Sequence, residues 1–411
     1  MRSMLSASLL AVWLAPQAHA MQAAAEAAPL PAFAEEAAAL EWPSRAASVV
    51  REVEVGPWQL RWVGTFPIGW LEAEREDAAA LLGPIGAEAS ALRFEGEGSV
   101  LVRMPMGEPS ASARIAGKPA AAYEYLSASA ARDTDGEEVL QVQRTWFALY
   151  EPKSKPKEAS GGSKGMVVLL PGMFGTPEPV IDSMVGMLRL RGWHVLRMLT
   201  HPSRFTEKAS YAIVPGGEIE AVASGIAAEF DDRAGECALA VNAVCARIAA
   251  DRPSAPVDHR VGLGLSGGGM ILSTVVASDV EAYRAAVFVG AGCDFAQVAV
   301  QSNYTDWIDS VHIGWVGEPS EADRRLFTET YRAEASLDSY STAPLLAGLP
   351  MLMIHGEADQ AVPAAMGDLL WERLGMPERW SAPLGHETLF LVYLPSRTPA
   401  LLDWLDARAD G

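Results

Sequence analysis

Residues 263–270 read "LGLSGGGM". Ser266 stands in the pattern Gly264-Leu265-Ser266-Gly267-Gly268, a G-x-S-x-G signature of a nucleophile held on a sharp turn. In a chain with 36 glycines among 411 residues the pattern alone is weak, so its surroundings decide. The run before it, "VGLGLS", is apolar and reads as a buried strand. The run after it, "GGGMILSTVVAS", reads as a helix. A serine between the two projects its hydroxyl at the sheet edge, and flanking glycines relieve the crowding there. The amino end of the helix behind it adds unpaired N–H groups and a positive dipole end.

The same rhythm repeats outward. "MVVLLPG" (166–172), "HVLRML" (194–199), "AAVFVGAG" (285–292) and "PMLMIHG" (350–356) read as buried strands. Helices are expected over 177–192, over 217–250 in one or two pieces, over 364–375 and over 398–409. Continuous apolar strands alternating with helices imply a mostly parallel sheet flanked by helices, an α/β class. Residues 296–348 break the rhythm: they contain no clear strand and are too long for a simple connection. Tyr304, Trp307, His312 and Trp315 make this interval aromatic. It is expected to form a helical cap over the carboxyl ends of the strands, where open α/β sheets bind ligands.

A serine hydroxyl is a poor nucleophile at neutral pH and needs a base against it. "PLGHETLF" supplies His386, which alone among the histidines follows Asp359. "MIHGEADQAVP" supplies Asp359 in a loop after a strand, placed to orient that histidine. Asp294 in "GAGCDF" also follows a strand and is the second candidate acid. His355 reads as a packing or loop-bracing residue. His201 and His312 read as structural, with substrate contact the alternative, and His194 and His259 begin strands.

With these motifs in the order Ser266, Asp359, His386, the sequence resembles the α/β-hydrolase superfamily from about Glu137 to its end. "GLSGG" is similar to the family's nucleophile elbow, "IHGEADQAVP" to its acid loop and "GHET" to its histidine loop. The resemblance implies an α/β-hydrolase fold and an oxyanion hole built from the Gly267 amide and the amide of Met173 in "LLPGMFGTPEP", with Phe174 the neighbouring candidate. Many relatives carry His-Gly where this chain has Pro171-Gly172. It also implies a serine hydrolase that needs no cofactor and no metal, acting on a small-molecule or polymer-borne carboxylic ester. A peptidase of the same fold and a non-catalytic binding protein are the rivals. Phe174, Trp307 and Trp315 are the candidate substrate-binding residues.

Asp plus Glu number 52 and Lys plus Arg 32, a net charge of −20, which argues against nucleic acid as partner. Met1–Ala20 reads as a secretory signal: Arg2, an apolar stretch from Met4 to Ala15, and Ala18-His19-Ala20 as the cleavage site. The apolar run is too short to span a bilayer, and no other stretch is long and apolar enough, so export to a periplasm or the medium is expected, with no integral membrane segment. Residues 21–47 are Ala-, Glu- and Pro-biased and read as a linker. Residues 48–130 read as a small β-rich region, with Trp58, Trp62 and Trp70 as core, and 131–411 as the catalytic domain. Cys237 and Cys245 lie eight apart in an expected helix, about 12 Å and beyond disulfide reach. With Cys293 the count is odd, so at least one thiol is free or pairs elsewhere.

Overall fold

The computed structural model describes residues 40–53, 58–65, 92–93, 99–105, 115–132, 138–153, 163–173, 178–199, 201–202, 209–304 and 311–408. The expected signal segment, most of the expected linker, Phe174 and Trp307 lie outside the described residues, as do the side chains of Trp58, Trp62 and Trp70. No helix among the described residues is long and apolar enough to cross a membrane.

Among the described residues a ten-stranded sheet dominates. Its strands are β1 (Ala47–Val53), β3 (Leu92–Arg93), β5 (Ala121–Arg132), β6 (Glu138–Tyr150), β7 (Met166–Leu170), β8 (His194–Met198), β10 (Arg260–Leu265), β11 (Tyr283–Val289), β13 (Met351–Gly356) and β14 (Glu378–Ala382). The order is β1-β5-β6-β8-β7-β10-β11-β13-β14, with β3 paired to β6 off this path. From β8 to β14 every pairing is parallel. β1, β5 and β6 add an antiparallel flank. β2 (Trp58–Thr65) and β4 (Ser99–Pro105) form a separate antiparallel pair.

The antiparallel flank crosses the expected division near residue 130. The position lies inside β5, whose whole length pairs with β6, and β6 pairs with β8 of the parallel sheet. The sheet therefore runs unbroken across the expected boundary. The segment before β1 is also fastened to the body. Arg45 binds Glu236 on the long helix at 2.5 Å and Asp232 at 2.9 Å, and Ser127 of β5 donates to the same buried Glu236. Glu236 is fully buried, so losing Arg45 would leave a carboxylate without its cation, the costly way to break a buried pair.

The parallel strands are buried on both faces, which is why their sequences are apolar without alternation. Along β7, Met166, Val168 and Leu170 face one core, while Val167 and Leu169 face the other. Helices cover both faces: α1 (Glu178–Leu190), α2 (Ile219–Asp251), α3 (Gly267–Met270), α4 (Leu272–Ala277), α5 (Phe295–Gln301), α6 (Glu321–Glu334), α7 (Ala364–Arg373) and α8 (Leu394–Asp406). The α2 helix is one continuous element of 33 residues, about 50 Å long at 1.5 Å per residue. Its first half (Ile219, Ala223, Ile226) packs against the cap, and its second half (Val241, Val244, Ile248) against the sheet. Cys237 and Cys245 both lie on it, and all three cysteines are free and buried. Burial raises each thiol, Cys245 to about 11, so none carries a thiolate near neutral pH.

The cap differs from its expectation. It holds α5, α6 and a turn at Ser339–Thr342, but also β12 (Val311–Trp315), which pairs in parallel with β9 (Ala209–Ile213). Val311 and Ile313 of β12 point inward while His312 is exposed, the two-residue period of a strand. The cap is therefore mixed α/β, and its two strands come from segments about a hundred residues apart, which no local pattern reveals.

Sequence order places the site. From β7 the chain steps to β8 on one side, then returns through α2 to β10 on the other. The crevice outside the carboxyl ends of β7 and β10 is thus the topological switch point, where open α/β sheets bind ligands. Residues 171–173 and Ser266 are the residues that lie there.

Candidate active site

Ser266 joins β10 to α3 with φ 52° and ψ −120°, a conformation that costs on the order of 1–3 kcal/mol for a residue with a side chain. The turn is held by the Ser266 N–H donating to Val289 O at 2.8 Å and by the Met270 N–H donating to Ser266 O at 2.9 Å. Two glycines permit it. A Cβ on Gly264 would lie 2.5 Å from Gly268 O, and one on Gly268 would lie 2.4 Å from both Leu170 O and Pro171 O. Helix α3 can sit this close to β10 and to the end of β7 only because neither residue has a side chain.

Ser266 Oγ lies 2.9 Å from His386 Nε2, and His386 Nδ1 lies 2.6 Å from Asp359 Oδ2. A carboxylate only accepts, so Nδ1 carries the proton and Nε2 receives the serine O–H. Asp359 Oδ1 accepts from the Ala361 and Val362 amides, each at 3.0 Å. Its two oxygens are therefore committed to different partners, and the side chain has one orientation. Asp359 is 5 % exposed and His386 8 %. Low exposure keeps these hydrogen bonds out of water, where they are stronger.

The imidazole is also held by packing. Phe390 meets its ring edge-to-face at 4.9 Å between centroids, and Tyr304 meets it at 5.9 Å. Phe390 lies four residues after His386 across a short helical turn and the π-helical turn Leu389–Tyr393. The Tyr304 hydroxyl donates to the Glu387 carboxylate, so the cap is tied to the residue next to the histidine.

The second candidate acid is engaged elsewhere. Asp294 caps α5 from the left-handed conformation, φ 61°, accepting from the Gln297 amide at 3.2 Å and from Arg332 Nε at 2.7 Å. Burial and the neighbouring Asp338 push its carboxyl up to about 6. It braces the cap helix α6 against the end of β11, and it is Asp359 that reaches His386. His355 is buried, with Nε2 3.8 Å from Asp368, and burial lowers it to about 4, as fits a bracing residue between β13 and α7.

Ser266 opens into a cleft of about 770 Å³, its open mouth included. Met173 and Gly267 line it beside the serine, and Met270, Phe295, Val298 and Val362 make its walls largely apolar. Arg233 of α2 is the charged residue on the wall among the described residues, its Nε bound to Glu229 at 2.7 Å. The two expected oxyanion amides are neighbours: a Cβ on Gly267 would lie 3.3 Å from Met173 N. As the first residue of α3, Gly267 has no acceptor for its N–H within the helix.

One expected wall residue is not there. Trp315 packs edge-to-face on Phe327 at 6.0 Å inside the cap and does not line the cleft. On β12 it shares a face with Val311, which does line the cleft, but it lies four residues further along the strand, where that face packs on Phe327 of the cap. Tyr304 lines the cleft instead. The aromatic character of the segment pointed to it, but sequence does not tell which ring turns toward the serine.

No family model matches the sequence. No curated protein matches it either. Similar solved structures include an acylaminoacyl peptidase in complex with Z-Gly-Gly-Phe-chloromethyl ketone, at 14% identity over 70% of this chain and 48% of that one, TM-score 0.44. A puromycin hydrolase variant complexed with PGG is 17% identical over 75% of this chain and 41% of that one, TM-score 0.41. Est1E from Butyrivibrio proteoclasticus is 14% identical over 69% of this chain and 99% of that one, TM-score 0.42. The chain thus spans less than half the length of the first two, and likeness at this level carries no residue's role. A serine elbow after β10, at the switch point of a sheet in this strand order and facing a histidine and an aspartate from later loops, is the architecture of the α/β-hydrolase fold, and that is the fold this chain has.

Proposed function

We propose that the protein is a serine hydrolase that transfers an acyl group to water, with Ser266, His386 and Asp359 as its triad. The observation that carries this reading is the unbroken hydrogen-bond relay from Ser266 Oγ through both nitrogens of His386 to Asp359, opening into a cleft. Ser266 Oγ attacks the substrate carbonyl while His386 Nε2 takes its proton. The Gly267 and Met173 amides receive the oxyanion, each donor contributing about 3 kcal/mol of transition-state stabilisation. His386 then gives its proton to the leaving group, and the acyl group stays on Ser266. Water enters, loses a proton to His386 and attacks the acyl-enzyme, and the proton returns to Ser266 as the acid departs.

A carboxylic ester with an apolar acyl part is the favoured substrate. The cleft walls are largely apolar, and no carboxylate lines them among the described residues to capture a peptide amine. The test is labelling with a fluorophosphonate, mapping of the adduct, and turnover of p-nitrophenyl esters of increasing chain length beside aminoacyl anilides. A single adduct at Ser266 and higher kcat/KM on the esters are expected. Faster anilide cleavage would make it a peptidase, and a well-folded protein with no adduct would overturn the hydrolase reading.

We also propose that the hydrolase is exported after removal of Met1–Ala20. The positive residue, the apolar stretch and the small-residue site support this. Mass mapping of the protein from its native host should give an amino terminus at Met21, and an intact Met1 would overturn it.

A further inference from the structure

His201 has no part in the relay, yet it is placed with care. It lies just past β8, 3 % exposed, at the carboxyl edge of the sheet. Its Nε2 is 2.9 Å from the carbonyl oxygen of Pro171, the residue just after β7. A carbonyl only accepts, so Nε2 carries the proton. Nδ1 then holds a lone pair, and Cys237 Sγ of α2 lies 3.9 Å from it, so the thiol S–H donates. Burial lowers the ring to about 4, so it is neutral at the pH where a hydrolase of this kind works. The ring thus presents one fixed N–H to one carbonyl.

That carbonyl belongs to the loop that supplies the Met173 amide. The loop is short of its own restraints: Pro171 has no N–H to donate, and Gly172 has no side chain to limit its rotation. On one side it is wedged against the nucleophile helix, where a Cβ on Gly268 would lie 2.4 Å from Pro171 O. On the other side His201 holds the same oxygen. The orientation of the Pro171–Gly172 peptide sets where the next amide, that of Met173, points.

We propose that His201 is a positioning residue for the oxyanion hole: its Nε2–H fixes the Pro171 carbonyl and through it the Met173 amide beside Ser266. The inference rests on the hydrolase reading, since it requires an oxyanion to be bound there. Ground-state binding does not use this amide fully, whereas the tetrahedral intermediate does. His201 should therefore act on kcat and leave KM nearly alone.

The experiment compares wild type with His201→Leu and His201→Gln, the glutamine amide being able to donate to the same oxygen. Turnover of the best p-nitrophenyl ester, inhibition by a trifluoromethyl ketone of matching acyl chain, fluorophosphonate labelling and thermal melting are measured on all three. In folded His201→Leu, kcat should fall about 10- to 100-fold, short of the 10²–10³ for removing a donor outright, with KM little changed. The ketone, whose adduct carries the oxyanion, should weaken by the same factor as kcat/KM, and His201→Gln should restore most of the loss. Folded His201→Leu with unchanged kcat overturns the proposal. So does a loss that spares ketone affinity or that glutamine does not restore, because a purely structural role would give that pattern. If His201→Leu does not fold, His201→Met, which also cannot donate, takes its place and is read in the same way: unchanged kcat, or a loss that spares ketone affinity, overturns the proposal, and a fall in kcat matched by ketone affinity and restored in His201→Gln supports it. Absence of a fluorophosphonate adduct on wild type overturns the hydrolase reading and this role with it, whereas normal labelling beside unchanged kcat in His201→Leu overturns this role only.

Discussion

Ser266→Ala should fold as the wild type does and lose on the order of 10⁴-fold or more in kcat. The hydroxyl of Ser266 makes its hydrogen bond to His386, and no buried partner other than that ring is left behind by its removal. Losing one half-exposed hydrogen bond costs about 1 kcal/mol at most. The strained backbone at φ 52° is unchanged in kind, since alanine suffers the same crowding of its Cβ. Stability and activity therefore separate. The residual rate is what the two amides and the cleft supply without a nucleophile, on the order of 10³ over water. The check is steady-state turnover beside a thermal melt and fluorophosphonate labelling. A folded variant that keeps the wild-type rate would remove Ser266 from the chemistry and leave the relay a structural feature.

What the sequence discloses about this site follows from how local each signal is. The elbow is legible because strand, glycines and helix are contiguous from Val261 to Ser278, and chain order places His386 after it with two candidate acids between. Chain order does not separate Asp359 from Asp294, because both follow strands; only the likeness of "IHGEADQAVP" to an acid loop favours Asp359 in the sequence. The choice is made by which carboxylate finds a cation, and Arg332 arrives at Asp294 from α6, 38 residues away. The antiparallel flank is hidden for a similar reason. β1 has the look of a strand, but its partner β5 begins 68 residues after β1 ends, and nothing in either says that they share a sheet with β7. β9 and β12 are no shorter than β7, but they are half-exposed and lack its unbroken apolar run, and among the described residues they pair with each other alone. Trp315 and Tyr304 show the same limit within one segment: residue type marks the cap as aromatic, and tertiary packing decides which ring meets Phe327 and which meets His386. The sequence reads His201 as structural or substrate-facing but does not show what it holds, since its partner is a backbone carbonyl 30 residues earlier.

Asp359→Asn should lower kcat by about 10⁴-fold while the geometry of the site survives. The reason lies in the two backbone amides that point at this side chain. Ala361 N–H and Val362 N–H both donate to Oδ1, and an asparagine can satisfy them only by keeping its oxygen there. Its NH₂ group then occupies the place of Oδ2, 2.6 Å from His386 Nδ1. Two donors cannot face each other, so Nδ1 must give up its proton and accept, and the neutral ring carries its hydrogen on Nε2 instead. That nitrogen then points an N–H at Ser266 Oγ and has no lone pair to take the serine proton. Asp294→Asn is the control that the alternative acid demands. It keeps the cap to α5 through Gln297, but its NH₂ then faces the Arg332 N–H and both the ion pair and its hydrogen bond are lost, so it should lower the melting temperature and leave kcat essentially as in wild type. Kinetics and melts on the two variants side by side decide between the acids: a large kcat loss in Asp294→Asn with a mild one in Asp359→Asn would exchange their roles. Equal and mild losses in both would mean that His386 is oriented by its packing between Phe390 and Tyr304 rather than by a carboxylate.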